Sequence, residues 1–362
     1  MNELKFSATN RALIQRSAFS EPFDLLVIGG GITGAGIALD AITRGLKVLL
    51  VEKKDFAWGT SSRSTKLIHC GLRYLKQMEF GLVHEVGVER AIVHKNAPHI
   101  VLPEKMLLPI IEEGSLGKML SSLGLWVYDR LANVEQEERR KMLEKDEVAQ
   151  LEPLLRQDVL LGGGLYYEYR TDDARLTIET LKTAVEKGAV VLNYTEVYDF
   201  IYKDNAYVGG AIVRDTLDGS LHEVKAKRVV NAAGPWVDTL RAQNDKDLGK
   251  KRLHLTKGVH IVVPYSKLPI QQSVYFDVEQ DNRMIFAIPR GNVTYIGTTD
   301  TFYDQNIDQP KANRADVAYI IASINFMFPS AKLNISDVES TWAGLRPLIH
   351  QEGKSPSELS RR

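Results

Sequence analysis

Two groups of residues near the start of the chain have the types and spacing to do chemistry. Gly29-Gly30-Gly31-Ile32-Thr33-Gly34 contains the pattern GxGxxG. Gly29 permits a tight turn, Gly31 lets a pyrophosphate approach the backbone, and Gly34 lets helix and strand pack closely. A pyrophosphate so placed sits at a helix N-terminus, where free N–H groups and the dipole favour anions. Glu52 follows about 20 residues on, the spacing of a carboxylate that accepts ribose hydroxyls. It would repel the 2′-phosphate of NADP. The second group is TSSRSTKLIHCGLRYL, residues 60–75, with five hydroxyl residues, three basic residues, a histidine and the only cysteine of the chain. Either it is a solvated surface loop, or it faces a cofactor and a charged substrate.

The elements that must position these groups are legible in the pattern. FDLLVI (23–28), bounded by Pro22 and Gly29, reads as a buried parallel strand. Ile32, Ile37, Leu39 and Ile42 lie on a helix closed by Gly45, and LKVLLVE (46–52) is a second buried strand. Together they form a βαβ unit. The pattern predicts a helix from about Arg73 to Lys95 and a solvated helix over 134–155. It predicts another over 171–189, with an Asp/Thr start and Ile178, Leu181 and Val185 on one face. VVLNYTEVYDF, AYVGGAIVRD and LHEVKAKRVVNAAG read as strands, with a DGS turn at 218–220. From 250 to 300 the runs GVHIVVP, SVYFDV, RMIFAIP and VTYIGTT predict a separate antiparallel sheet.

Composition bounds the rest. The 362 residues are 44% hydrophobic and 25% charged, an ordinary globular balance whose length favours two domains. Lys+Arg and Asp+Glu both number 46, so no global field draws the chain to nucleic acid, and no nucleic-acid partner is expected. One cysteine excludes an intrachain disulfide framework and fits a reducing compartment. The N-terminus reads as neither signal nor transit peptide. No run reaches the roughly 18 apolar residues of a membrane span. No cluster has metal-ligand spacing, so no metal is expected.

GxGxxG alone does not choose between FAD and NAD. Two features favour FAD. The polar loop 59–66 directly follows the second strand, where a flavin's ribityl chain and pyrophosphate need hydroxyl and amide donors. RVVNAAGPW (228–236) is a strand ending in small residues, Ala233 and Gly234 among them. It resembles the second backbone contact that many FAD proteins make with their nucleotide; the alternative is an ordinary strand-to-turn exit.

Seven segments extend the pattern: 24–62, STKLIHCGLRYL (64–75), DDAR (172–175), VNAAGPW (230–236), TKGVHIVVP (256–264), IGTTD (296–300) and AGLRPL (343–348). In this order they resemble the FAD-dependent, membrane-associated glycerol-3-phosphate dehydrogenases over nearly the whole chain. The resemblance implies an α/β fold: an FAD/NAD(P)-binding Rossmann-like domain with an antiparallel-sheet substrate cap, D-amino-acid oxidase-like. It implies a discontinuous FAD domain from 1–95, 165–235 and 345–362, and a cap from 96–164 and 236–344. The implied reaction oxidises sn-glycerol 3-phosphate to dihydroxyacetone phosphate and passes electrons through FAD to quinone. The implied location is cytoplasmic and peripheral, on the inner face of a bacterial cell membrane.

In the family, a Gly-Gly-Lys-Leu-Thr-Thr segment at the flavin ring and a C-terminal helical domain come after the part matched here. Cys70 stands where the family usually has glycine. Two other readings remain open: a flavin oxidase or dehydrogenase of the same fold acting on an amine or 2-hydroxy acid, and a catalytically inactive nucleotide-binding remnant.

By the same resemblance, Thr60, Ser61, Ser62, Ser64, Lys66 and His69 line FAD beside Gly29, Gly31, Gly34, Glu52, Ala233 and Gly234. Arg73 and Arg346 bind the substrate phosphate, with Arg361 as a third contact, because guanidinium forks orient phosphate bidentately. Tyr74 hydrogen-bonds the substrate. His260 deprotonates the C2 hydroxyl, or Arg346 stabilises the developing alkoxide; sequence leaves both roles open. Residues 116–131, LGKMLSSLGLWVYDRL, suit an interfacial helix and a cap-domain core helix equally.

Overall fold

The computed structural model describes residues 6–69, 80–112, 114, 140–203, 207–244, 252–281 and 283–349. After a first helix, α1 (Arg11–Ser20), the expected unit follows: β1 (Phe23–Ile28), α2 (Ile32–Thr43) and β2 (Val48–Val51). Leu26, Val27, Leu49 and Leu50 are wholly buried. Each such side chain contributes about 1.5–3 kcal/mol. The two strands run parallel, with Leu25 opposite Val48.

The central part of the chain gives β3 (Leu67–Ile68), α3 (Phe80–Asn96), β4 (Leu102–Ile111), β5 (Lys141–Glu144), α4 (Lys145–Leu151) and β6 (Leu160–Arg170). It is followed by α5 (Asp173–Glu186), β7 (Val190–Leu192), β8 (Thr195–Lys203), β9 (Tyr207–Asp215), β10 (Leu221–Asn231) and α6 (Val237–Asn244). The final stretch gives β11 (Leu253–Pro264), β12 (Ser273–Asp277), β13 (Met284–Arg290), β14 (Val293–Gly297), β15 (Thr301–Phe302), α7 (Arg314–Met327) and β16 (Ser340–Ile349).

Among the described residues the strands form two sheets. The first has the order β7-β2-β1-β10-β9-β8. Its β7, β2, β1 and β10 are parallel, and β9 and β8 continue it antiparallel. β10 serves both parts: Leu221–Lys225 pair with β9, and Ala226–Asn231 pair with β1. The second sheet has the order β15-β11-β14-β13-β12-β4-β6-β3, with β16 on β11 and β5 on β6. It is antiparallel except where β12 meets β4. Its core packs Val259, Ile261, Phe276 and Ile296 against Ile320 and Ile324 of α7.

One expectation needs correction. The solvated helix over 134–155 is in its described part a strand followed by a short helix. Met142 and Leu143 pair with Gly164 and Gly163 of β6, so sheet pairing overrides the local helical pattern. The start of the helix predicted near Arg73 lies outside the described residues, and its described part is α3. Sheet membership divides the chain as follows. β6 runs unbroken to Arg170 as partner of β4, and β16 stays in the second sheet through Ile349. Leu240 of α6 packs in the hydrophobic cluster of the first sheet.

Candidate functional site

The Gly-rich turn links the ends of two buried strands. Gly29 adopts φ +116° and donates from its N–H to Val51 O at 2.8 Å, which fixes the turn against β2. A side chain at Gly29 would meet Ala232 O at 2.5 Å, and one at Gly34 would meet Gly29 O at 1.8 Å. The first clash guards the approach of the β10 exit, the second the contact of α2 with β1. α2 has no side-chain cap at Gly31. Ile32 N–H donates to Ser61 Oγ at 2.9 Å. Glu52 accepts from Gly30 N–H at 2.7 Å and from Lys54 N–H at 2.9 Å.

Around this turn lies a cavity of about 340 Å³. It opens at the carboxyl ends of β1, β2 and β10, where parallel-sheet proteins bind nucleotides. Gly29, Gly31, Glu52, Thr60, Ser61, Ala233 and Gly234 all line it. Trp58, Trp236, Thr195 and Pro347 are also in the wall, so the second sheet contributes through β16. A backbone cradle that Cβ atoms would fill, a helix N-terminus on the cavity wall and a carboxylate at the β2 exit fit a dinucleotide such as FAD.

The loop after residue 59 is clamped between the two sheets. Thr60 Oγ1 donates to Leu345 O at 2.7 Å, Trp342 Nε1 to Ser64 O at 3.1 Å, and Tyr295 OH to Thr65 O at 3.1 Å. The Ser62 hydroxyl turns back to Gly59 O at 3.3 Å. Ser64 and Lys66 are engaged with Asp173, the first residue of α5. Its carboxylate accepts from Ser64 N–H at 3.0 Å, Ser64 Oγ at 2.7 Å and Lys66 Nζ at 2.7 Å. Lys66 sits at φ +58°, a left-handed conformation that costs a non-glycine residue about 1–2 kcal/mol. The Asp173 contacts hold it there. His69 packs 5.9 Å from the Phe286 ring. Ser62, Ser64, Lys66 and His69 are thus next to the cavity wall in the chain without lining the cavity itself.

His260 and Arg346 lie on paired strands of the second sheet. β11 sets His260 opposite Trp342, and Thr256 opposite Arg346. His260 is 2% exposed and stacks on Trp342 with centroids 4.6 Å apart. Its Nε2 is 3.0 Å from Thr65 Oγ1, and its Nδ1 is buried with no hydrogen-bond partner among the described residues. Burial, reinforced by the Arg346 and Lys66 charges, lowers its pKa to about 3. The ring is therefore neutral at physiological pH. Gly297 lies across from it, and a side chain there would meet His260 Cδ2 at 2.2 Å.

Arg346 donates through Nη1 to Asp300 Oδ1 at 3.1 Å and to Thr299 O at 3.2 Å, and through Nη2 to Thr298 Oγ1 at 3.0 Å. Gly258 leaves room for it: a Cβ there would lie 2.5 Å from Nη2. The segments TKGVH, IGTTD and AGLRP thus meet as one guanidinium site. Arg73, Tyr74, Cys70 and Arg361 lie outside the described residues, as does 116–131.

Sequence reasoning missed Thr65, Asp173, Asp300 and Trp342. Asp173 had a signal, two adjacent acidic residues at a predicted helix start. Thr65 and Asp300 lay inside STKLIHCGLRYL and IGTTD with no role of their own, and Trp342 had no signal; side-chain contacts across 46–278 residues bring them to the site.

A nucleotide cavity on a parallel sheet, joined through one loop to a buried histidine and an arginine on a mostly antiparallel sheet, defines a two-sheet nucleotide-binding protein. The chain belongs to the FAD dependent oxidoreductase (DAO) family, which it matches over residues 24–357. It is 55% identical over 359 residues to an aerobic glycerol-3-phosphate dehydrogenase of Staphylococcus haemolyticus, and 56% identical to one of Staphylococcus aureus. Each match takes in 99% of this chain and 64% of the relative, so the chain spans somewhat under two thirds of their length. The glycerol-3-phosphate dehydrogenase of Bacillus halodurans, solved with FAD, superposes with a TM-score of 0.80 at 52% identity, covering 95% of this chain and 61% of that one. Glycine oxidase of Bacillus cereus, at 23% identity and a TM-score of 0.65 over 90% of this chain and 83% of that one, shares the fold. The expected D-amino-acid oxidase-like architecture is borne out.

Proposed function

We propose that this chain carries the catalytic part of an FAD-dependent glycerol-3-phosphate dehydrogenase, which oxidises sn-glycerol 3-phosphate to dihydroxyacetone phosphate. The observation that carries this reading is the 56% identity to aerobic glycerol-3-phosphate dehydrogenase over 99% of the chain. The matched span of 359 residues takes in TKGVH, IGTTD and AGLRP, which build the arginine site.

FAD, when bound, supplies the acceptor for the hydride leaving C2 of the substrate. Gly29, Gly31, Glu52, Thr60, Ser61, Ala233 and Gly234 would hold it. Gly34 keeps helix α2 at the distance this binding needs. Ser62, Ser64, Lys66 and His69 fix the loop that connects cofactor to substrate. Arg346, held in one orientation by Asp300 and Thr298, offers its guanidinium to the phosphate or to the developing alkoxide. His260 is neutral and so able to take a proton. Its pKa of about 3 makes it a weak base until substrate charge raises it. Arg73, Tyr74 and Arg361 are the further substrate contacts in this reading.

Electrons then pass to a membrane quinone, in a protein serving glycerol metabolism and peripheral to the inner face of the cell membrane. Among the described residues no helix is long and apolar enough to cross a membrane. Loss of a desolvated charge contact costs about 2–5 kcal/mol. Arg346→Ala is therefore expected to lower kcat/KM for glycerol 3-phosphate on the order of 30-fold or more, with Arg346→Lys intermediate. Steady-state reduction of a dye acceptor measures it, and a change below threefold would remove Arg346 from the substrate site.

A further inference from the structure

We propose that Asp308 is a clasp that ties two rims of the nucleotide cavity together and sets how long a bound cofactor stays. The inference rests on the reading of that cavity as the FAD site. The loop after β15 is anchored on the second sheet. Tyr303 N–H donates to Leu255 O at 3.0 Å, and its hydroxyl to Asn306 O at 2.8 Å. Asp308 N–H donates to Asn306 Oδ1 at 2.9 Å. Lys257, buried and paired with Asp316 at 2.6 Å, donates to Lys311 O at 3.2 Å.

From this base Asp308 reaches across to the first domain. Its Oδ1 accepts from Lys53 Nζ at 2.9 Å and from Trp236 Nε1 at 2.8 Å. Lys53 follows Glu52 at the exit of β2, and Trp236 follows the exit of β10. Both line the cavity, on separate rims. Lys53 Nζ also lies 4.5 Å from the Trp236 ring centroid, a cation–π contact that brings the rims together. Trp236 packs in turn over Gly59, where a Cβ would lie 3.1 Å from its ring. One carboxylate oxygen therefore joins the second-sheet loop and both walls of the cavity.

Exposure explains why this is a clasp and not a permanent strut. The Asp308 side chain is 46% exposed and that of Lys53 26%. Ion pairs so open to water are weak and break readily. Such a contact can open to admit a dinucleotide and still slow its escape.

The test uses the chain loaded with FAD. FAD release after dilution is followed by recovery of free flavin fluorescence, for wild type, Asp308→Ala and Asp308→Glu. Asp308→Ala is expected to release FAD about three- to tenfold faster, the range of one half-exposed charged contact, and Asp308→Glu to recover most of the difference. In the protein without FAD, the Trp236 indole N–H resonance should shift and lose exchange protection in Asp308→Ala. Folding of each variant is checked by its urea midpoint. Release within 1.5-fold of wild type, or an unaltered Trp236 resonance, overturns the clasp. Should wild type take up no FAD, the cofactor reading falls, and the Trp236 resonance alone decides whether the clasp exists.

Discussion

His260 shows how a single residue couples stability to function. A histidine wholly enclosed between Trp342, Thr65 and the bare backbone of Gly297 cannot be solvated when charged, so its pKa falls from 6.5 to about 3. The unfolded chain takes up a proton below pH 6.5 and the folded chain does not. The contribution of neutral His260 is therefore fully present above pH 6.5. It is lost as pH falls from 6.5 towards 3, by up to about 1.4 kcal/mol per pH unit. Urea midpoints of wild type are expected to fall more steeply between pH 6.5 and 5 than those of His260→Gln. Parallel profiles would show that the imidazole is protonated in the fold. The sequence placed His260 in the apolar run GVHIVVP, read as a strand. It did not show that the ring meets Thr65, since that side-chain contact joins β11 to a loop 195 residues away in the chain.

At the scale of elements, the loop 60–66 and the start of α5 act as one unit. Asp173 satisfies the Ser64 backbone and hydroxyl and the Lys66 ammonium at once, and its side chain is only 10% exposed. Hydrogen bonds to a charged group contribute roughly 1.5–3 kcal/mol each and are not additive within a network. Asp173→Ala is expected to destabilise the fold by about 2–3 kcal/mol in urea titrations and to release the left-handed turn at Lys66. A loss below 0.5 kcal/mol would mean that the loop is held from the second sheet alone.

The parallel strands and α2 were legible because their apolar runs and glycines are local. β5 was not, since its charged residues read as a solvated helix and only pairing with the glycine run of β6 makes it a strand. The cavity-lining glycines and Glu52 were readable from spacing. Asp300, Asp308 and Trp342 were not: strand register places Trp342 opposite His260, and the loops before and after β15 place Asp300 and Asp308.

For the whole molecule, two sheets share one loop: the first supplies a nucleotide cavity, the second a buried histidine and an oriented arginine. The chain belongs to the FAD dependent oxidoreductase family and is 52–56% identical to glycerol-3-phosphate dehydrogenases, which supports the proposed oxidation of a phosphorylated alcohol. The central claim is that electrons from glycerol 3-phosphate enter a flavin held in this cavity. The direct measurement is the anaerobic absorbance of the FAD-loaded chain on addition of sn-glycerol 3-phosphate. Bleaching of the flavin bands, with no bleaching by glycerol, glycine or lactate at equal concentration, is the predicted result. A loaded flavin that stays oxidised with glycerol 3-phosphate but is reduced by an amine or a 2-hydroxy acid would contradict the account.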